Sequence, residues 1–194
     1  AINRRAGAVL EIAHIGARRD NALCNTAGIK VSRDIFDVVD DPEIDILIEL
    51  VGGTTVAKEL VERAIKAGKH VVTANKALIA EFGTELFALA SEQGVALRYE
   101  AAVAGGIPII KALREGLAGN EINWLAGIIN GTTNFILTEM GTAKRAFEDV
   151  LAEAQALGYA EADPTFDVEG IDAAHKLVIL AAIAFGIPLN INGV

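Results

Sequence analysis

"IDILIELVGGTTVAKELVERAIKAGKHVVTANK", residues 44–76, decides the fold. It opens on an isoleucine- and leucine-rich run, Ile44 to Val51, that ends at Gly52-Gly53, as a strand closing in a turn does. Thr54 and Thr55 stand where a helix N-cap belongs. "VAKELVERAIKAG" then places Val56, Leu60, Ala64 and Ala67 on one helical face and stops at Gly68. "KHVVTAN" returns to strand character. A strand, a helix and a second strand at this spacing form a βαβ unit, and such units build parallel sheets.

The same alternation continues on both sides. "LEIAHIGA", from Leu10 to Ala17, reads as an upstream strand. "ELFALASEQG" reads as a helix with a glycine stop, and "VALRYEAAV" as a further strand. The class is α/β, with a Rossmann-like parallel sheet over residues 1–103. Past Gly105-Gly106 and Pro108 the pattern changes to an α+β domain over residues 104–194. "IPIIKALREGLAG" is helical, "EINWLAGIIN" is a strand, and a helix starts behind "NGTT". "AFEDVLAEAQALG" is amphipathic, with Phe147, Val150, Leu151, Ala154 and Leu157 on one stripe. An acidic loop follows, then "DAAHKLVILAAIAFG", a long and mostly buried helix. The connection "TEMGTAKRAF" is short for a helix-to-helix joint. The start reads as the tail of a helix and the end stops inside an element, so a piece of a longer chain is expected.

Composition narrows the classes. Hydrophobic residues make up 52% of the 194 residues and aromatics 5%, the profile of an α/β enzyme. A net charge of -9 argues against a broad nucleic-acid or anionic-membrane surface. Cys24 is the single cysteine, which excludes an intrachain disulfide and a thiolate metal cage. No apolar run is long enough for a membrane span, and no signal-peptide pattern is present. A cytoplasmic setting is expected.

Open parallel sheets bind ligands beyond the carboxyl ends of their strands. "GARRD" puts Arg18 and Arg19 at one such end, where a basic pair suits a 2′-phosphate and hence NADP; surface arginines on a turn fit equally. "VGGTT" brings Gly52, Gly53 and Thr54 to a helix start where backbone can approach a nucleotide. Thr73 lies in the "KHVVTAN" strand, and Asn75 and Lys76 come at its end, where Lys76 stands at the ligand edge of the sheet or simply marks the surface. No G-x-G-x-x-G is present. "EAAVAGGIPII" offers one carboxylate and backbone oxygens to a hard cation, or is a hinge. "NGTTN" suits a carboxylate at a helix start, or is N-capping by Thr132 or Thr133. Asp172 and Lys176, four apart, share one face of an apolar helix, so that lysine must be paired or face a cavity. His175 lies about 100° around that helix and is cast neither as ligand nor as base. The acids upstream suit an α-ammonium group; a solvated loop explains them as well.

"VVTANKALIA", "EAAVAGGIPIIKALREGL", "GIINGTTNFIL" and "GYAEADPTFDVEGIDAAHK", in this order, resemble the signature blocks of homoserine dehydrogenase. The resemblance implies reversible oxidation of L-homoserine to L-aspartate 4-semialdehyde with NAD or NADP, in threonine, methionine and isoleucine biosynthesis. It implies Lys176 as catalytic lysine and Lys76 as a second lysine between cofactor and substrate. It further implies that Gly131, Thr132, Tyr159, Glu161, Asp167 and Asp172 contact substrate. Glu100 with the backbone oxygens of Val103, Gly105 and Ile107 matches the family's monovalent-cation site, for sodium or potassium. A homodimer or homotetramer is expected, with "INWLAGII" extending a sheet between copies. The glycine-rich turn and everything beyond the long helix of that family are missing here. Two other classes compete: a lyase using a lysine Schiff base, and a non-catalytic oligomerisation module.

Overall fold

A computed structural model describes residues 2–194. The chain divides into two compact units, one of residues 2–73 and 85–98, the other of 74–84 and 99–194.

The first unit is built on parallel strands. A short helix α1 (Ile2–Ala6) precedes β1 (His14–Gly16), which pairs in parallel with β2 (Lys30–Ser32). Helix α2 (Phe36–Asp40) leads to β3 (Ile46–Glu49), α3 (Thr55–Lys66) and β4 (His70–Thr73). Helix α4 (Lys76–Glu92) begins in the second unit and ends in the first, where β5 (Leu97–Arg98) follows it. Strands β3, β4 and β5 form a second parallel sheet in that order, with Glu49 opposite Thr73. The βαβ unit expected over residues 44–76 is thus present. Its helix buries Ala57, Leu60, Val61, Ala64 and Ile65, a face turned by one residue from the expected one, so Val56 is exposed. Thr54 is the N-cap of α3, but its side chain makes no capping hydrogen bond.

Strand β1 is shorter than the sequence suggested, because its one partner is the three-residue β2, which carries no sequence signal of its own. Among the described residues the two sheets do not join. A cavity of 390 Å³ lies between them, lined by His14, Ile15, Ile46, Ile48 and Leu50 among others. Ile12, Ile46, Ile48 and Leu50 are exposed along it.

A carboxylate ties this unit together. Asp41 Oδ2 accepts from Lys30 Nζ at 2.9 Å and lies 2.9 Å from His14 Nδ1. The other ring nitrogen of the buried His14 lies 2.7 Å from Ser32 Oγ. One imidazole therefore connects β1, β2 and the residue after α2. Lys30, the amide of Glu43 and His14 together hold the Asp41 carboxyl at about 2, against an opposing pull from burial.

The second unit is helical. After a 3₁₀ turn (Glu100–Ala102) come α5 (Ile109–Lys111), which widens into a π-helical turn (Ala112–Gly116), then α6 (Gly131–Ala143) and α7 (Phe147–Ala156). Helices α8 (Thr165–Val168) and α9 (Ile171–Phe185) close it. Ile136, Val150, Ala154 and Ala160 form one core cluster, flanked by Phe135, Met140, Phe147 and Leu151. Truncating Ile136 to Ala there would cost about 2–5 kcal/mol. The short connection between α6 and α7 closes because Lys144 adopts a left-handed conformation at φ 57°, while Arg145 pairs with Glu139 and Glu153. Residues 121–130, expected as a strand, form none. No strand of this unit lies beside them, and an unpaired strand is not stable alone. Trp124 and Ile128 are left exposed. Among the described residues, no helix is long and apolar enough to cross a membrane.

Candidate active site

Helix α9 starts abruptly. Gly170, at φ 75°, takes a left-handed turn that a side chain would resist, so Asp172 falls in the first helical turn, where an acid complements the helix dipole. Lys176 lies one turn later on the same face. Its Nζ donates to Asp172 Oδ2 at 2.7 Å and to the carbonyl of Ile129 at 2.6 Å. Asp172 Oδ1 lies 3.0 Å from Nζ of Lys76, the first residue of α4. One buried carboxylate thus separates two lysines, one on each oxygen. Burial pulls the Asp172 carboxyl upward, but hydrogen bonds from Lys176, Asn130 and Lys76 outweigh it and leave it below the ordinary carboxylate range.

Asn130 completes the cluster and escaped the sequence reading. It is the N-cap of α6, with Oδ1 accepting from the Thr133 amide at 2.7 Å. Its Nδ2 donates to Asp167 Oδ1 at 2.7 Å and to Asp172 Oδ2 at 2.8 Å. Asparagine is among the strongest N-caps, so the signal is present in the sequence, and Asn130 rather than Thr132 or Thr133 takes the cap. Those threonines bind the acidic loop instead: Thr132 donates to the Tyr159 carbonyl at 2.7 Å and Thr133 to that of Asp167 at 3.1 Å.

The remaining expected substrate residues are spread around this cluster. Gly131 opens α6 and is exposed. Tyr159 is exposed and meets Phe135 edge-to-face at 5.3 Å. Glu161 is exposed, and its side chain does not join the lysines. His175 is buried, with Nδ1 unpartnered among the described residues and its ring 6.1 Å from Phe166. Burial lowers its pKa below 6.5, assisted by Lys76 and opposed by Glu81 and Asp172.

In the first unit a cavity of 780 Å³ opens at the carboxyl ends of β1, β2 and β3. Gly16, Arg18, Arg33, Asp34, Gly52 and Thr55 are among its walls, and Arg19 lines an adjoining hollow. Arg33 donates to the Ala17 carbonyl and pairs with Asp20 at 2.7 Å. The loop after β3 is held from below by Glu49, which is fully buried. Its Oε1 accepts from the amides of Val51 at 2.7 Å and Gly52 at 3.0 Å, and its Oε2 accepts from Thr73 Oγ1 at 2.5 Å. Gly52 and Gly53 follow at φ 76° and 69°, a pair of left-handed residues that only glycine adopts without strain. Thr73 therefore supports the loop from inside the sheet, while Asn75 accepts from the Leu78 amide at 3.1 Å at the start of α4.

The Glu100 carboxylate accepts from the amides of Ile110 at 2.9 Å and Lys111 at 3.0 Å. Val103 is buried, Gly105 and Ile107 are exposed, and Ala104 between them is left-handed at φ 49°. Among the described residues no group of three or more histidine, cysteine or acidic side chains could hold a metal ion.

Two family models match the chain one after the other. The family model "Homoserine dehydrogenase, NAD binding domain" matches residues 1–100, and "Homoserine dehydrogenase" matches residues 108–194. The homoserine dehydrogenase of Pseudomonas aeruginosa is 68% identical over 191 residues, which cover 98% of this chain and 44% of that protein. That of Bacillus subtilis is 51% identical over 164 residues, covering 84% of this chain and 38% of that protein. The crystal structure of the Thiobacillus denitrificans enzyme superposes with a TM-score of 0.93 at 62% identity, over 98% of this chain and 44% of that one. A hyperthermophilic archaeal homoserine dehydrogenase solved in complex with NADPH gives a TM-score of 0.72 at 37% identity, over 78% of this chain and 47% of that one. The chain thus spans less than half the length of these relatives. It belongs to the homoserine dehydrogenase family.

Proposed function

We propose that the whole protein is an NAD(P)-dependent oxidoreductase that interconverts L-homoserine and L-aspartate 4-semialdehyde. The single observation that carries this reading is Asp172 held between Lys176 and Lys76. Lys176 spends two of its three ammonium hydrogens on Asp172 and the Ile129 carbonyl, leaving one for a substrate oxygen. In the reducing direction Lys176 gives a proton to the aldehyde oxygen as it becomes a hydroxyl. In the oxidising direction neutral Lys176 removes the hydroxyl proton, and Asp172 stabilises the ammonium that results. Lys76, Gly131, Thr132, Tyr159, Glu161 and Asp167 surround the substrate, with Asp167 and Glu161 taking its α-ammonium group.

The first unit suits a dinucleotide. Its cavity has a glycine loop, a helix start without a side-chain cap, and basic residues, a set that fits phosphates. Gly52, Gly53 and Thr54 would lie against the nucleotide, with Thr73 shaping the loop from beneath through Glu49; Asn75, at the start of α4, is a cofactor residue on the family resemblance alone. Arg18 and Arg19 would meet a 2′-phosphate when NADP is used. Bound NAD(P) supplies the hydride acceptor or donor.

Glu100 and the backbone oxygens of Val103, Gly105 and Ile107 form an all-oxygen donor set suited to sodium or potassium, and the left-handed Ala104 turns that segment. Such an ion would brace the turn ahead of α5. A homodimer or homotetramer is the proposed assembly, with the exposed Trp124 and Ile128 strip as its contact, and the proposed setting is cytoplasmic amino-acid biosynthesis. The test is Lys176→Ala in the whole enzyme. Turnover of L-homoserine should fall by about 10²–10⁴-fold with nicotinamide binding retained; near-normal turnover would falsify the assignment.

A further inference from the structure

We propose that Asn130 is a positioning residue that sets the separation and orientation of Asp167 and Asp172. The inference rests on the dehydrogenase reading above and extends it to a residue that reading does not use.

The argument begins with the amide itself. A primary amide has one oxygen and two N–H donors. Only the oxygen can accept from the Thr133 amide, so the N-cap of α6 fixes which way the group points. The nitrogen then has no freedom: one N–H meets Asp167 Oδ1 and the other Asp172 Oδ2. Three helices are joined at one neutral side chain, α6 through its cap, α8 through Asp167 and α9 through Asp172.

Neutrality is the point. Two carboxylates this close to one atom repel, and one of them would tend to keep a proton. An arginine or lysine at position 130 would remove that repulsion, but it would also compete with any cation the acids are meant to hold. An amide screens the pair through two hydrogen bonds and leaves both charges in place. Asp172 spends its charge on Lys76 and Lys176. Asp167 Oδ2 accepts no hydrogen bond among the described residues and remains available to an ammonium group. Asn130 therefore directs one acid to the lysines and the other to the amino end of the substrate.

The experiment uses Asn130→Ser and Asn130→Asp in the whole enzyme. Both keep a side-chain oxygen at the N-cap, so α6 should start normally, and both remove the two N–H donors. For Asn130→Ser, KM for L-homoserine should rise about 10- to 100-fold, as expected for lost charge-assisted hydrogen bonds. Nicotinamide Kd should stay near wild type, while Tm falls by a few degrees for the hydrogen bonds lost inside the fold. For Asn130→Asp, three acids share the site, and the acidic limb of the kcat/KM profile should move to higher pH by about one unit. A serine variant with unchanged KM, or an aspartate variant with an unmoved acidic limb, overturns the proposal. So does an activity loss that only tracks a loss of Tm. If the wild-type enzyme fails to reduce NAD(P) with L-homoserine, or Lys176→Ala retains full turnover, the dehydrogenase reading itself is what fails.

Discussion

Two aspartates hold two basic partners each, and they do different work. Asp41 in the first unit is met by Lys30, His14 and the Glu43 amide. Its histidine is closed off on the far side by Ser32, so every polar atom of that imidazole is engaged. Asp172 in the second unit is met by Lys176, Lys76 and Asn130. There the network ends in groups with capacity to spare, a third ammonium hydrogen on Lys176 and a free oxygen on Asp167. In the Asp41 cluster the spare capacity lies only on the ammonium of Lys30, which is turned to solvent, so the cluster serves to hold strands together. A cluster with capacity to spare beside a candidate site, equally well anchored, can bind and move a proton.

The strongest attempt to break this contrast is a matched pair of substitutions. Asp172→Asn leaves two lysines facing a neutral amide and should lower kcat/KM by about 100-fold, since charge stabilisation at a reacting group is worth that much. Asp41→Asn should leave kcat/KM within about twofold, as remote sites do, and appear only as a lower Tm. Steady-state kinetics beside thermal unfolding would separate the two; equal kinetic losses would end the distinction.

Glu49 sharpens it next, as a fully buried carboxylate with neutral donors only. Glu49→Ala should loosen the loop at Val51 and Gly52 and raise the NAD(P) Kd about tenfold, for one or two hydrogen bonds lost. Glu49→Gln keeps an oxygen for the amides and should recover most of that affinity in a titration. A glutamine variant as weak as the alanine one would show that the loop shape is not what matters.

The smallest effect is a pH dependence of stability. His175 is held below 6.5 by burial, so as pH falls past 6.5 the unfolded chain gains a proton the folded one refuses, and stability declines. Asp41 sits at about 2 against an ordinary 3.8, and Asp172 is lowered too. Their stabilisation is complete above the unfolded value and drains away as pH falls from about 4 toward 2. Tm should be level above pH 7, dip slightly below 6.5, and drop more steeply below 4. His175→Gln should remove the first step and Asp41→Asn should weaken the second.

Much of this was legible along the chain, for reasons that can be named. The Asp172–Lys176 pair follows from helical spacing alone, and the βαβ unit from alternation and glycine stops. Lys76 joins Asp172 from 96 positions away (172 − 76), and no local pattern encodes that; the family resemblance pointed to both residues but not to their contact. Strand β2 is three residues long and too short to show a period. The stretch at 121–130 has strand chemistry without a partner, so propensity misled there. Asn130 was hidden by two threonines that satisfy the same capping rule.

The split between the β1–β2 and β3–β4–β5 sheets also bears on how the molecule must be handled. Two open edges, with Ile12, Ile46, Ile48 and Leu50 bare beside them, are templates for zipping onto any other extended chain. For these 194 residues prepared alone, concentration rather than temperature would then set the limit of good behaviour. A charge placed at Ile48 would be the first remedy to try.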